Sequence, residues 1–181
     1  MVATMRGFVV VSCLRCGLPH GAMPQVVPQL KSITLGGAVA GVGIEASSFR
    51  DCLVHDTIAA LDVLVADGRI VHCTPDNEHR DLFFGFPNSY GTLGYALAVT
   101  ARLVPVRPYV ALEHVRYADA AACFADVARH CAEARLDFLD GTVFAPDEIY
   151  LTLGRCAGDA AATSDYGFER IYYRSIRERA S

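Results

Sequence analysis

Two periods of hydrophobic and polar residues alternate along the chain, and each change of period marks an element. Leu61 to Val65 and Arg69 to Cys73 are apolar, β-branched runs on either side of Ala66-Asp67-Gly68. Asp-Gly between such runs predicts a hairpin, because the turn needs left-handed backbone that these two residues tolerate. Residues 76–86 begin with the cap-like Asp76, Asn77 and Glu78 and then place aromatics at helical spacing, which predicts a short helix stopped before Pro87. Tyr95 to Val104 predicts a strand ending at Pro105. Beyond Pro108, Tyr109 to Tyr117 predicts a strand, and Asp119 is placed to cap a helix over Ala120 to Ala134 with Ala121, Phe124, Val127, Ala128 and Cys131 as its apolar face. Phe138 to Phe144 and Glu148 to Leu153 predict a second hairpin across Ala145-Pro146-Asp147.

The β-α-β-β order after residue 108 is the opening of an α+β unit that ordinarily wants a further helix and strand over its sheet. The sequence given does not supply them. Residues 171–181 are polar and Arg-rich, so Tyr172, Tyr173, Arg174, Arg177 and Arg179 read as a solvated end rather than a partner surface. Near the start, Pro19, Pro24 and Pro28 forbid a continuous helix over residues 17–30, which predicts an extended or loop segment.

Composition narrows the class without naming an activity. The 181 residues are 52% hydrophobic and 20% charged with a net charge of −4, so neither disorder nor a basic nucleic-acid footprint is expected. No apolar run approaches the ~20 residues of a membrane span. The first residues imitate a secretory signal, with Arg6 before Gly7 to Val11, but the apolar core is too short against the ~7–15 such a region needs. The seven cysteines are an odd number at irregular spacing, which favours reduced thiols over a paired framework. Cys13 and Cys16 form one CxxC with no second pair, so no metal is expected.

The segment Ile33 to Gly43 packs four glycines into an eight-residue window, and it admits two chemistries. Gly41-Val42-Gly43-Ile44-Glu45-Ala46 fits the GxGxxA dinucleotide fingerprint, with Asp62 about twenty residues on, which would make the chain an NAD(P)-dependent Rossmann oxidoreductase. That reading requires Gly41 to Ala46 to open an amphipathic helix. The alternative is a glycine-rich loop whose backbone amides lie along a diphosphate, with the Thr34, Ser47 and Ser48 hydroxyls as further donors. A ligand-free turn is equally compatible with the residues.

Several separated motifs carry a resemblance. Thr34-Leu35-Gly36-Gly37 is followed by a glycine-containing loop ending in Ser48-Phe49-Arg50, then by strand-Ala66-Asp67-Gly68-strand, then by Arg80-Asp81-Leu82-Phe83, then by Gly91-Thr92-Leu93-Gly94 before a strand. In this order, from about Gly17 to Arg116, the chain resembles the FAD-binding domain of the p-cresol methylhydroxylase (PCMH)/vanillyl-alcohol-oxidase flavoprotein superfamily. Val27 to Thr34, Gly43-Ile44-Glu45 and Phe138-Leu139-Asp140-Gly141 make it similar to the Δ24-sterol-reductase-like members.

The resemblance implies an α+β chain: residues 1–16 unassigned, 17–107 the second half of a PCMH-type FAD-binding domain, and 108–181 the start of an α+β substrate domain. It implies FAD as cofactor, NADPH as a candidate reductant and a small hydrophobic, sterol-like substrate that exchanges hydride with the flavin. It also implies that Thr34, Leu35, Gly36 and Gly37 lie along the FAD diphosphate, that Ala40, Gly43 and Ile44 continue toward the flavin, and that Tyr95 meets the adenine end. The implied location is cytoplasmic, with membrane association as the alternative. Asp51-Cys52 stands where the relatives have Tyr-Gly or Asn-Gly, so a positive φ at Cys52 would cost about 1 kcal/mol. The superfamily's other flavin-binding loop and the rest of its substrate domain are not in the sequence given, so weak or absent flavin retention is expected, and a catalytically silent remnant is a third reading.

Single residues weigh less. His55-Asp56 fits a catalytic pair or a flavin-attachment histidine, but more often such a pair is structural. His20 reads as a loop residue. Asn88-Ser89-Tyr90 fits a cofactor approach and equally fits turn chemistry.

Overall fold

The computed structural model describes residues 1–6, 17–30, 32–164 and 172–179. Cys13 and Cys16, and the signal-like run from Gly7, lie outside the described residues. The chain divides into two compact units, Met1–Val106 and Arg107–Ser181.

The first unit is an antiparallel sheet with helices against it. Its strands are β1 (Val2–Arg6), β2 (Ala22–Pro24), β3 (Ile58–Leu64), β4 (Ile70–Cys73) and β5 (Tyr95–Pro105), in the order β1-β5-β3-β4 with β2 also on β5. The expected hairpin is β3-β4, in the register Leu61↔Cys73 and Val63↔Val71. Its period-2 pattern is real: Leu61, Val63, Val71 and Cys73 are buried while Asp62 and His72 point outward and meet at 2.6 Å. These side chains join Leu35, Val39, Val54, Ile58, Phe83, Phe86 and Val99 in one core.

Three helical segments serve this sheet: α1 (Leu35–Ala40), α2 (Ser48–Asp51) and α3 (Arg80–Gly85). The helix expected from residue 76 starts only at Arg80. Asn77 is the reason: its side-chain oxygen accepts from the Thr74 and His79 amides and its Nδ2 donates to the His72 carbonyl. That Asx geometry ties the segment to the end of β4 and delays the helix.

The glycine segment is also not the expected loop. Residues 35–40 form α1 in spite of two internal glycines, each worth about 1 kcal/mol against helix. Tertiary packing decides it. A Cβ on Gly36 would stand 3.1 Å from the Ala96 Cβ, so glycine lets α1 settle onto β5. Thr34 caps the helix, and a Cβ on Gly37 would fall 2.9 Å from the capping oxygen.

The second unit contains β6 (Tyr109–Tyr117), α4 (Ala120–Glu133), β7 (Phe138–Ala145), β8 (Glu148–Ala157) and α5 (Ile176–Arg179). Its sheet runs β6-β8-β7, all antiparallel, with β8 central and buried from Ile149 to Gly154. The mixture of helix and antiparallel sheet in both units is an α+β architecture.

Two expectations for this unit are corrected. The expected apolar face of α4 is largely turned outward: Phe124 is 71% exposed and Cys131 is exposed, whereas Cys123 and His130 are buried. Positions 123, 126, 127 and 130 form the inward face, where the Tyr117 hydroxyl on β6 donates to Asp126. The end of the chain is not simply solvated either. Arg177 makes two hydrogen bonds to Glu148, of 2.7 and 2.6 Å, and lies 4.2 Å over the Phe144 ring, while Ser175 and Ile176 are buried.

Candidate functional site

In the first unit a cavity of about 340 Å³ lies among α1, the start of β5 and the turn that leads into it. Six of the eight residues singled out in the sequence line it: Thr34, Leu35, Gly36, Gly37, Ala40 and Tyr95. Gly43 and Ile44 do not. Gly43 has a packing role, since a Cβ there would meet Val54 at 2.8 Å, and the Ile44 side chain is 74% exposed.

Local structure explains the arrangement. The first amides of a helix have no acceptor within it, and here Thr34 Oγ1 takes that of Gly37 at 3.0 Å. Of the other hydroxyls proposed as donors, Ser47 spends its hydrogen on the Gln25 carbonyl, Ser48 accepts from the Glu45 amide, and neither lines the cavity. At its far end α1 closes in a Schellman turn. Gly43 donates to the Ala38 carbonyl at 2.9 Å, and Val42 takes the left-handed position with φ 58°.

This geometry overturns the Rossmann alternative. The fingerprint needs Gly41 to leave a strand and open a helix, whereas Gly41 ends α1 and donates to Gly37. The next helix, α2, has only four residues and begins beyond the fingerprint, at Ser48, and Asp62 sits on β3 bonded to His72. The glycine pair around Val42 terminates a helix; it does not begin one.

The other cavity walls are Phe86, Gly91, Gly94, Ala96, Leu97 and Val99. In the sequence Gly91 and Gly94 stood out only as motif glycines, and the rest had no signal there: a register shift at Leu97 turns Ala96 and Val99 to the same side, opposite Val63 and Leu61. Gly94 is demanded by the fold, with φ 134° and a Cβ position 2.4 Å from the Leu64 carbonyl oxygen. Gly91, at φ 85°, faces open space. The turn is strained, because Asn88 and Tyr90 also take positive φ, 61° and 49°. Among the described residues no charged side chain lines this cavity. An anion there would depend on backbone amides and the Thr34 hydroxyl, which is how amide-rich concavities hold phosphates.

His55 and Asp56 behave as structural residues. Asp56 accepts the Leu53 amide at 2.9 Å, and its other oxygen lies 3.7 Å from His55 Nε2. His55 Nδ1 and Ser89 Oγ are buried and find no hydrogen-bond partner among the described residues. His20 ends a 3-10 turn and does not line the cavity. Cys52 has φ 63° and ψ −153°, a region essentially reserved for glycine, as its place in the motif anticipated. No group of three metal-ligating side chains occurs among the described residues. No helix among them is long and apolar enough to cross a membrane.

No family model matches the chain. Among curated proteins it is 40% identical over 100 residues to the Δ24-sterol reductase of Pisum sativum, covering 55% of this chain and 18% of that protein. It is 33% identical over 135 residues to the Homo sapiens Δ24-sterol reductase, covering 75% of this chain and 26% of that one. Over the matched stretch this chain is a homologue of the Δ24-sterol reductases. A weaker similarity, 29% over 134 residues, reaches cytokinin dehydrogenase 7 of Oryza sativa subsp. japonica. The resemblance to the FAD-binding PCMH-type superfamily read from the motifs therefore holds, and the relatives are oxidoreductases by name. The chain spans roughly a fifth to a quarter of the length of these sterol reductases.

Proposed function

We propose that this chain is the FAD-contacting part of a Δ24-sterol-reductase-like oxidoreductase, with residues 17–107 in a PCMH-type FAD-binding domain and 108–181 beginning the substrate domain. The observation that carries the reading is the convergence of Thr34, Leu35, Gly36, Gly37, Ala40 and Tyr95 on one cavity of the first unit, taken together with the sterol-reductase homology. The uncharged walls suit a diphosphate held by amides and the Thr34 hydroxyl. At about 340 Å³ the cavity is at the small end of ligand sites, of the size for one part of a dinucleotide.

In this reading Thr34, Leu35, Gly36 and Gly37 hold the diphosphate, Ala40, Gly43 and Ile44 extend along the ribityl side, and Tyr95 meets the adenine end. Bound FAD supplies hydride transfer to or from a hydrophobic, sterol-like substrate, with NADPH as reductant; the protein supplies position and exclusion of water. The whole protein is then cytoplasmic, associated with membrane through its apolar substrate.

The test is reconstitution of the chain with FAD, followed by absorbance near 450 nm after removal of free flavin and by quenching of flavin fluorescence. Weak, saturable binding is expected, abolished by Ala40→Glu, which sets a carboxylate in the cavity. Flavin lost on removal of free FAD is compatible with the reading, whereas complete absence of quenching at saturating FAD by a folded chain overturns it and favours a catalytically silent remnant.

A further inference from the structure

Ser89 is 9% exposed, and its Oγ is buried with no hydrogen-bond partner among the described residues. Both backbone groups of the residue are used. Its amide donates to the Phe86 carbonyl at 3.2 Å, and its carbonyl accepts the amide and the hydroxyl of Thr92, at 2.9 and 2.7 Å. The hydroxyl alone is left over. A buried polar group without a partner keeps its full desolvation cost, so its presence in a folded chain calls for a reason.

The backbone around it carries a second cost. Asn88 and Tyr90, on either side of Ser89, both take left-handed φ, 61° and 49°, and neither is glycine. Strain of this kind persists where the surroundings over-determine it, and it gathers at ligand clamps. The surroundings here belong to the cavity of the first unit. The Tyr90 amide donates to the Ala40 carbonyl at 3.1 Å, and Ala40, Phe86 and Gly91, which hold or adjoin the turn, all line that cavity. Ser89 is not itself part of the wall, so its hydroxyl enters the cavity only when the turn shifts.

We propose that the turn from Asn88 to Gly91 is a ligand-operated latch, in which an acceptor oxygen of the bound molecule draws the Ser89 hydroxyl into the cavity as the strain at Asn88 and Tyr90 is released. A ligand shifts a conformational equilibrium only by what it gains in one state over the other. The gain here is the hydrogen bond that Ser89 lacks in the free chain, together with relief of two unfavourable φ angles. The choice of a diphosphate oxygen as the acceptor rests on the function proposed above; the latch itself is argued from the turn.

The test is binding of FAD and ADP by the full chain, read as quenching of flavin fluorescence and, for ADP, as competition with FAD, beside thermal midpoints measured without ligand. Ser89→Ala removes the unpartnered hydroxyl. The free chain is then expected to gain about 3 °C in midpoint while its affinity for FAD and for ADP falls about tenfold, the worth of one well-made hydrogen bond. Ser89→Cys, close in shape but a poor donor, should lose affinity alike. Asn88→Gly, which relieves strain before the ligand arrives, should raise the midpoint and weaken FAD binding. A merely structural serine moves stability and affinity together, so a fall in both for Ser89→Ala overturns the proposal. Unchanged affinity in Ser89→Ala does the same, since a buried water would then serve the hydroxyl. A loss for FAD with none for ADP overturns the diphosphate as acceptor. Absence of quenching in the unsubstituted chain at saturating FAD sinks the function proposed above and the latch with it, whereas normal quenching there with no loss in Ser89→Ala sinks the latch alone.

Discussion

Thr34 Oγ1 accepts the amide hydrogen of Gly37 at 3.0 Å and so closes the first turn of a helix that two glycines would otherwise disfavour. Removing the hydroxyl leaves that amide without its acceptor and costs about 1 kcal/mol. Thr34→Ala should therefore lower the unfolding free energy by that amount, read as a lower urea midpoint at an unchanged slope, and Thr34→Ser should be nearly neutral. The same substitution is expected to weaken FAD binding in the reconstitution assay, because the capping turn frames the cavity. A Thr34→Ala chain with unchanged stability would mean that α1 is held by its packing on Ala96 alone.

Val42 supplies a prediction of opposite sign. It sits at φ 58° between two glycines at ordinary φ, so the one residue of the Gly-Val-Gly run that needs left-handed freedom is the β-branched one. Cys52, at φ 63°, repeats the mismatch. Val42→Gly and Cys52→Gly should each stabilise the chain by about 1 kcal/mol, read as a rise in thermal midpoint. Gly43→Ala should do the reverse, because its Cβ would lie 2.8 Å from Val54, which is fully buried.

These positions show where sequence reading reached and where it stopped. Both hairpins, β5, β6 and the Asp119 cap of α4 were legible because they follow from local periodicity and turn chemistry. The cavity residues Thr34 to Gly37 were legible through motif order. Helix α1 was not, because what sustains it is Ala96, some sixty residues away, against an unfavourable local propensity. The inward face of α4 was hidden for a similar reason: Cys123, Asp126 and His130 meet distant partners there, among them the Tyr117 hydroxyl, in place of the apolar stripe that hydrophobicity alone would bury. Docking of the chain's end on Glu148 depends on a partner 29 residues earlier, which no local pattern announces.

That docking carries a pH dependence. The hydrogen bond from Arg177 holds the Glu148 carboxyl below its usual range. A carboxyl depressed in the folded state contributes stability that is present above its unfolded pKa, about 4.3, and lost as pH falls through the lower folded value. Ile176 methyl resonances should accordingly keep their buried shifts at neutral pH and move toward random-coil positions in strong acid. Glu148→Gln should produce the released spectrum already at pH 7. Unchanged Ile176 shifts in that variant would show that apolar burial alone holds α5.

The Tyr117 hydroxyl donates to Asp126, and burial together with this bond pushes the phenol up to about 12. The sign is opposite to that of Glu148. A phenol raised in the folded state contributes stability that is complete below its unfolded pKa, near 10, and is lost as pH climbs through the folded value. Absorbance at 295 nm should therefore show one of the eight tyrosines ionising about two pH units late, with that step missing in Tyr117→Phe. The same substitution leaves Asp126 with Arg129, which donates to it at 3.0 Å, so its carboxylate is not stranded and the loss at neutral pH should be about 1 kcal/mol. If α4 owes its rotation to this bond, Tyr117→Phe should also expose Cys123, the buried thiol on its inward face. Reaction with a thiol reagent under native conditions would then gain one equivalent over the unsubstituted chain. An unchanged thiol count would assign the orientation of α4 to Cys123 and His130 packing instead.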